Sequence, residues 1–265
     1  MIDYQEYSAK LLSHIGRYSR KTSDREDVKH IHQLRVAIKK MKALSCLFKW
    51  YFEDFDKGKL NAIWKLGGKA GDLREWQLLT ERMQQSFLPH NLNSEILNLI
   101  THEEKKAYRD FCRKQDKCTG TELNKVRRYL KPFAIKLRTV NPVDYLNGTA
   151  ENMETRLFRQ GPSNEMYHEI RTDVKKLKYN SEIFSDEIHD LKWLVLLPGF
   201  LNTADTLLGE WHDAFVAGRQ LHHLSAKPGL PGPVRNGMLQ LEAVANTEAE
   251  RWLLKFKHDI NQFHK

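Results

Sequence analysis

The sequence predicts an all-α protein: two antiparallel helical bundles related by a pseudo-two-fold axis. Three observations predict it. Apolar residues recur at the helical period, and strand-like alternation does not. Glycine, proline and small polar residues fall at intervals that suit helix ends. One basic helical pattern also occurs twice, as HQLRVAIKKMKALSCLF from His32 and HEIRTDVKKLKYNSEIF from His168, with every matched pair 136 residues apart.

Each element follows from local signals. A first helix spans Tyr4 to Arg20, and polar residues at Thr22 to Asp24 break it. Ser23 or Asp24, followed by Glu26 and Asp27, starts a long basic helix that reaches Phe52. A shorter helix begins near Asp56 and meets a joint at Gly67, Gly68 and Gly71; Asp72 then opens a run to Gln85, ended by Pro89. Leu92 to Arg113 is amphipathic. Thr119 or Thr121 caps the next helix, to Lys131, and Pro132 and Asn141-Pro142 punctuate the middle. Val143 to Gln160 is helical and stops at Gly161-Pro162. Ser163 caps the second basic helix, which runs to Ser185. Shorter helices are expected around Pro198, Gly209 and Arg219, then a loop from Ala226 to Gly237 and a last helix from Met238 to Phe263. The halves are therefore about 1–136 and 137–265, and the short boundary between them favours one packed unit, a single domain over 1–265.

Composition narrows the partners. Lys plus Arg number 43 against 34 acids, a formal charge of +9. That balance favours an acidic partner: nucleic acid, anionic lipid or a phosphate polymer. The N-terminal segment has no continuous apolar core, and the most apolar stretch, Leu191 to Leu201, is broken by Pro198 and Gly199, so neither signal peptide nor membrane anchor is expected. Cys46, Cys112 and Cys118 form no Cys-x-x-Cys pair and fit a reducing, cytoplasmic setting.

The repeated stripe carries the functional expectation. With His32 at zero on a helix advancing about 100° per residue, Arg35, Lys39 and Lys42 fall within roughly 80° of it. Leu34, Ile38, Met41, Ser45 and Phe48 fall opposite. His168, Arg171, Lys175 and Lys178 repeat the cationic face, and Ile170, Val174, Leu177, Ser181 and Phe184 repeat the apolar one. Lys40 and Lys176 lie beside the stripe, where they could reach its rim. An ordinary solvated helix face is the bland explanation. It leaves unexplained why Arg35, Lys39, Lys40 and Lys42 contain no acid, although like charges at i,i+4 destabilise a helix. It also leaves the repetition unexplained. The histidines are either packed against a neighbouring helix or, when protonated, two-way donors to an anion; neither has a second ligand at metal-binding spacing.

Further cations are candidates for the same surface. Six occur without an acid from Lys125 to Arg138, among them Arg127, Arg128 and Lys131, and late in the chain Arg251, Lys255 and His258 keep helical spacing. No Gly-x-x-x-x-Gly-Lys-Ser/Thr loop exists, and no carboxylate on the cationic face could hold Mg²⁺, so binding is expected rather than catalysis, with no metal or cofactor. Nucleic-acid binding is the alternative. Against it, Trp50, Tyr51, Trp76, Trp193 and Trp211 have core-like spacing and do not interleave with the stripe as a base-stacking platform requires. A scaffold or protein–protein role is the third reading.

His-x-x-Arg followed by a basic run, twice in an all-helical chain, resembles the CHAD family, the conserved histidine α-helical domain, over essentially the whole length. A Gly-x-x-x-Asp element after each long helix adds to the likeness: Gly68 with Asp72, and Gly209 with Asp213 in LGEWHD. Gly71 stands where the family pattern has an arginine before the first aspartate. The resemblance implies binding of inorganic polyphosphate in a basic channel between two four-helix bundles, association with polyphosphate granules, and a separately encoded enzyme as a partner. It implies that His32, Arg35, Lys39 and Lys42 contact the polymer with His168, Arg171, Lys175 and Lys178. Asp72 and Asp213 would be buried acids that orient those cations.

Overall fold

The computed structural model describes residues 3–22, 27–84, 90–118, 120–141, 143–157, 163–183 and 197–263. Among them are nine α-helices and no strand: α1 Tyr4–Lys21, α2 Val28–Tyr51, α3 Asn61–Met83, α4 His90–Gln115, α5 Gly120–Lys136, α6 Val143–Leu157, α7 Asn164–Ser181, α8 Leu197–Ser225 and α9 Gly232–Phe263.

Side-chain caps fix several starts. The Asp3 carboxylate accepts from the amides of Gln5 and Glu6 at 2.9 and 3.1 Å and opens α1. Asp27, rather than Ser23 or Asp24, caps α2: it accepts from the His30 amide at 3.2 Å and meets the His30 ring at 2.6 Å. Ser23 and Asp24 lie outside the described residues. Ser163 caps α7 by accepting from the Met166 amide, as expected, although α7 stops at Ser181. Phe184 and the Gly161-Pro162 stop also lie outside the described residues.

Helices meet in sequence order within each half. α1 packs on α2, α2 on α3 and α3 on α4; α6 packs on α7, α7 on α8 and α8 on α9. Across the interface like meets like: α2 with α7, α3 with α8, α4 with α9. That pairing is the pseudo-two-fold. Among the described residues the first half carries one helix more, α5, which packs against α1 and has no counterpart there. A continuous apolar core joins both halves through Leu34, Met41, Phe48, Ile170, Val174 and Leu177, all at most 1% exposed.

Three expected breaks are not there. α3 is one helix through Gly67, Gly68 and Gly71, and α8 is one helix where three short ones were expected. α5 continues through Pro132, held by Phe133, which packs against Phe48, Phe52, Phe55 and Tyr129 with ring centroids 5.1 to 6.3 Å apart. Tertiary packing there outweighs the cost of a proline inside a helix. The loop before α9 ends at Pro231, so Gly232 to Gly237 is helical. α8 and α9 approach closely at Gly218, where an added Cβ would stand 2.6 Å from Asn246 Oδ1.

Candidate functional site

α2 and α7 lie against each other at the interface, where Arg171 and Lys175 come near enough to act on Lys39, although of the α7 stripe only His168 is among the residues that line the cavity described below. The apolar residues opposite each face are buried, so each helix has only one way to sit. Lys39 shows the result. Burial first, then the charges of Arg35, Lys175 and Arg171, hold its ammonium down to about 7. Two of those three neighbours belong to the other half.

The guanidinium groups form the centre. Burial lowers both Arg35 and Arg171 from the ordinary arginine range; Glu75 and Asp213 counter this most at Arg35, and Asp213 and Asp205 at Arg171. Arg35 donates weakly to the Gly71 carbonyl at 3.4 Å. Arg171 Nε is buried without a hydrogen-bond partner in the protein, as is His212 Nδ1. Burial and the surrounding cations hold His212 down to about 3, so it is neutral. Its ring lies 5.3 Å from that of His168.

A cavity of about 720 Å³ opens beside this centre. Arg35, Lys39 and Lys42 of α2 line it, with Lys57, Trp64 and His168. Its other wall is α3, and the three glycines explain why. Gly67 allows α3 to close on α2, since an added Cβ would sit 2.7 Å from Ile38 Cγ2. Gly68 and Gly71 face the cavity with nothing within 4 Å of an added Cβ. The absent side chains leave that space open beside the cations.

The two halves differ in how their lysines are neutralised. Lys175 and Lys178 both bond the Asp205 carboxylate of α8, Lys178 at 2.8 Å. Burial would raise Asp205, but the two ammonium groups outweigh it and hold the carboxyl below its usual value. Four residues after Trp64 comes Gly68, and four after Asp205 comes Gly209, so tryptophan occupies in α3 the place that aspartate occupies in α8.

Several expected contacts are elsewhere. Lys40 bonds Glu182 at 2.7 Å and lies over the Tyr179 ring; Lys176 bonds Asp173 at 2.7 Å, beside Arg156. Both point away from the cavity, because an acid on or next to α7 captures each. Arg127, Arg128 and Lys131 are exposed on α5, against α1 and outside the cavity lining. Arg251 and Lys255 are exposed on α9, each about 5.5 Å from the Trp252 ring. His32 faces a separate hollow of about 270 Å³ with His14, Tyr18 and Lys40. Burial and nearby cations depress both His32 and His168, so neither starts out as the doubly donating ion.

The acids are also corrected. Asp72 is exposed and bonds Lys69 at 2.8 Å instead of orienting the stripe. Glu75, one turn further along α3, is the acid set against Arg35, with burial raising its carboxyl above the usual range. Its spacing from Gly68, Gly71 and Asp72 on one helix face was a readable signal. Carboxylates thus do reach the groove, from α3 and α8 rather than from the stripes. Among the described residues no helix is long and apolar enough to cross a membrane, and no group of three or more His, Cys, Asp or Glu could hold a metal.

A family model for the CHAD domain matches residues 6–222. Two solved structures are similar. PptA from Streptomyces chartreusis aligns with a TM-score of 0.72 at 14% identity, covering 97% of each chain. The CHAD domain from the plant Ricinus communis aligns at 0.73 and 17% identity, covering 92% of this chain and 86% of that one. At these identities the likeness establishes the fold. No curated protein matches the chain in sequence.

Proposed function

The chain belongs to the CHAD family, and from that premise we propose that it binds inorganic polyphosphate in the groove between its halves without altering it chemically. The observation that carries this reading is the convergence of Arg35 and Lys39 with Arg171 and Lys175. Glu75, Asp213 and Asp205 offset these four cations only in part, since Lys39 is still held down to about 7, and a bound anion would complete the arrangement. A polyphosphate chain supplies one charge per unit and phosphoryl oxygens for the arginine forks, with no bases to be read.

The proposed steps are binding steps only. Lys42 and Lys57 at the open wall attract the chain and Arg35 and Arg171 fix it, while Lys39 takes up a proton as the negative charge arrives. Each groove acid faces a cation, which suits orienting those cations. Cytoplasmic residence at polyphosphate granules, with a separate polyphosphate-processing enzyme as partner, belongs to the same proposal.

The test is electrophoretic or filter binding of the Arg35→Ala/Lys39→Ala protein to long-chain polyphosphate, with helical content monitored. Affinity should fall by about a hundredfold or more while the fold persists, since two charged hydrogen bonds are lost at about 1.5–3 kcal/mol each. Unchanged affinity removes the groove from the site. Competition with single-stranded DNA of equal charge separates the alternative: equal displacement by both favours a nucleic-acid or generic polyanion binder.

A further inference from the structure

Resting on that reading, we propose that Asp205 is a built-in competing anion that makes the second half of the groove selective for long polyphosphate over short oligophosphates. The carboxylate stands where a phosphoryl group would stand. One oxygen takes the Lys175 ammonium and the other takes Lys178 at 2.8 Å. The pair is sheltered, with the Lys175 and Asp205 side chains each 16% exposed. Screening by water and salt is correspondingly weak.

Among the described residues the first half shows no such latch. Lys39 and Lys42 are the counterparts of Lys175 and Lys178, and Trp64 stands in the place of Asp205. The Trp64 indole N–H is spent on the Lys57 carbonyl at 3.0 Å, so its ring lines the cavity without neutralising a lysine. The groove therefore has an open arm and a latched arm.

An internal carboxylate is always present at high effective concentration. A short oligophosphate seated on the open arm has no further units with which to compete. A long chain anchored there presents its next phosphates to the latched lysines as an intramolecular ligand, and effective concentration then favours displacement. Asp205 thus keeps short oligophosphates off Lys175 and Lys178, and only a long chain anchored on the open arm reaches them. It is a specificity-determining residue, distinct from the cations that make the contacts.

The experiment measures binding of tripolyphosphate and long-chain polyphosphate at several salt concentrations to wild type, Asp205→Asn, Lys178→Gln and the double variant. Asp205→Asn should bind long chains roughly tenfold more tightly or better, since each displaced charged hydrogen bond costs a comparable factor, and should take a second tripolyphosphate where wild type takes one; a single tripolyphosphate on both proteins overturns the selectivity. Its salt slope should steepen by about 1–2, for two lysines newly available to phosphate. Lys178→Gln should cancel most of that gain in the double variant. In the wild-type background it should cost less long-chain affinity than Lys42→Gln does. Wild-type affinity and slope in a folded Asp205→Asn protein overturn the inference. So does an equal loss from Lys178→Gln and Lys42→Gln, a comparison that stands even if Asp205→Asn does not fold. A wild-type protein that binds no polyphosphate brings down the proposed function first, and this inference with it.

Discussion

Replacing Gly68 by leucine separates stability from binding, because the two should move in opposite directions. Gly68 lies inside α3, and an added Cβ has nothing within 4 Å. Removing a glycine from a helix interior in favour of a strong helix former is worth about 0.7–1 kcal/mol. For a chain of this size that raises the melting temperature by about 2–4 °C. The same side chain projects into the cavity lined by Arg35, Lys39 and Lys42. If polyphosphate lies there, leucine displaces at least one phosphoryl group from its cations. The loss of one charged contact, about 1.5–3 kcal/mol, weakens binding roughly ten- to a hundredfold. Thermal denaturation and a filter-binding titration measure the two effects on one preparation. A more stable protein with unchanged affinity would refute the placement of the ligand against α3.

Other expectations follow from neighbouring residues. Gly67→Ala should destabilise by about 1–3 kcal/mol, the usual cost of overpacking, because Ile38 is β-branched and its Cγ2 lies 2.7 Å from the new Cβ; a rise in melting temperature refutes that close approach. Lys39 titrates near 7 in the folded chain against an ordinary 10.5, so between these values the unfolded state holds more protons and stability rises with pH. Binding restores the proton, so affinity should fall as pH climbs from 7 to 9, by up to about tenfold per unit, and Lys39→Met should flatten that dependence. Burial also lowers Arg35, Arg171 and Lys175, which surround it, and His32 and His168 lie below the ordinary histidine value. A slope that survives in Lys39→Met assigns it elsewhere. Lys40→Ala and Lys176→Ala break ion pairs outside the cavity and should change polyphosphate affinity by no more than about twofold, the scale of a partly exposed ion pair.

The stripes were legible because two independent periodicities coincide in them. Helical spacing puts Arg35, Lys39 and Lys42 on one face, and repetition at His168 shows that the face is not incidental. Their convergence was only an expectation in the sequence; it rests on α2 meeting α7, a contact between segments more than a hundred residues apart. Local rules failed where tertiary demand reverses them. Gly67, Gly68 and Gly71 are helix breakers by propensity, yet α3 runs through them, because one lets a helix close in and two leave space open. Pro132 failed likewise, since α5 continues through it where the aromatic residues around Phe133 pack. Lys40 and Lys176 illustrate a different limit. The wheel put them beside the stripe, and only the structure showed that Glu182 and Asp173 take them. Asp205 escaped notice because it lies on a third helix, although its position four residues before Gly209 mirrors a cavity-lining tryptophan.

The pairing of each helix with its own counterpart has a consequence for the ligand. A linear phosphate polymer reads the same from either end, whereas a nucleic-acid strand runs from 5′ to 3′. A dyad suits a molecule without direction: either heading gives equivalent contacts, and the twofold choice of entry is worth about 0.4 kcal/mol, RT ln 2, in orientational freedom. Divergence at one pair of related positions, tryptophan on one side and aspartate on the other, removes that equivalence. A polymer with no heading of its own would take one from that asymmetry if it lies in the groove as proposed.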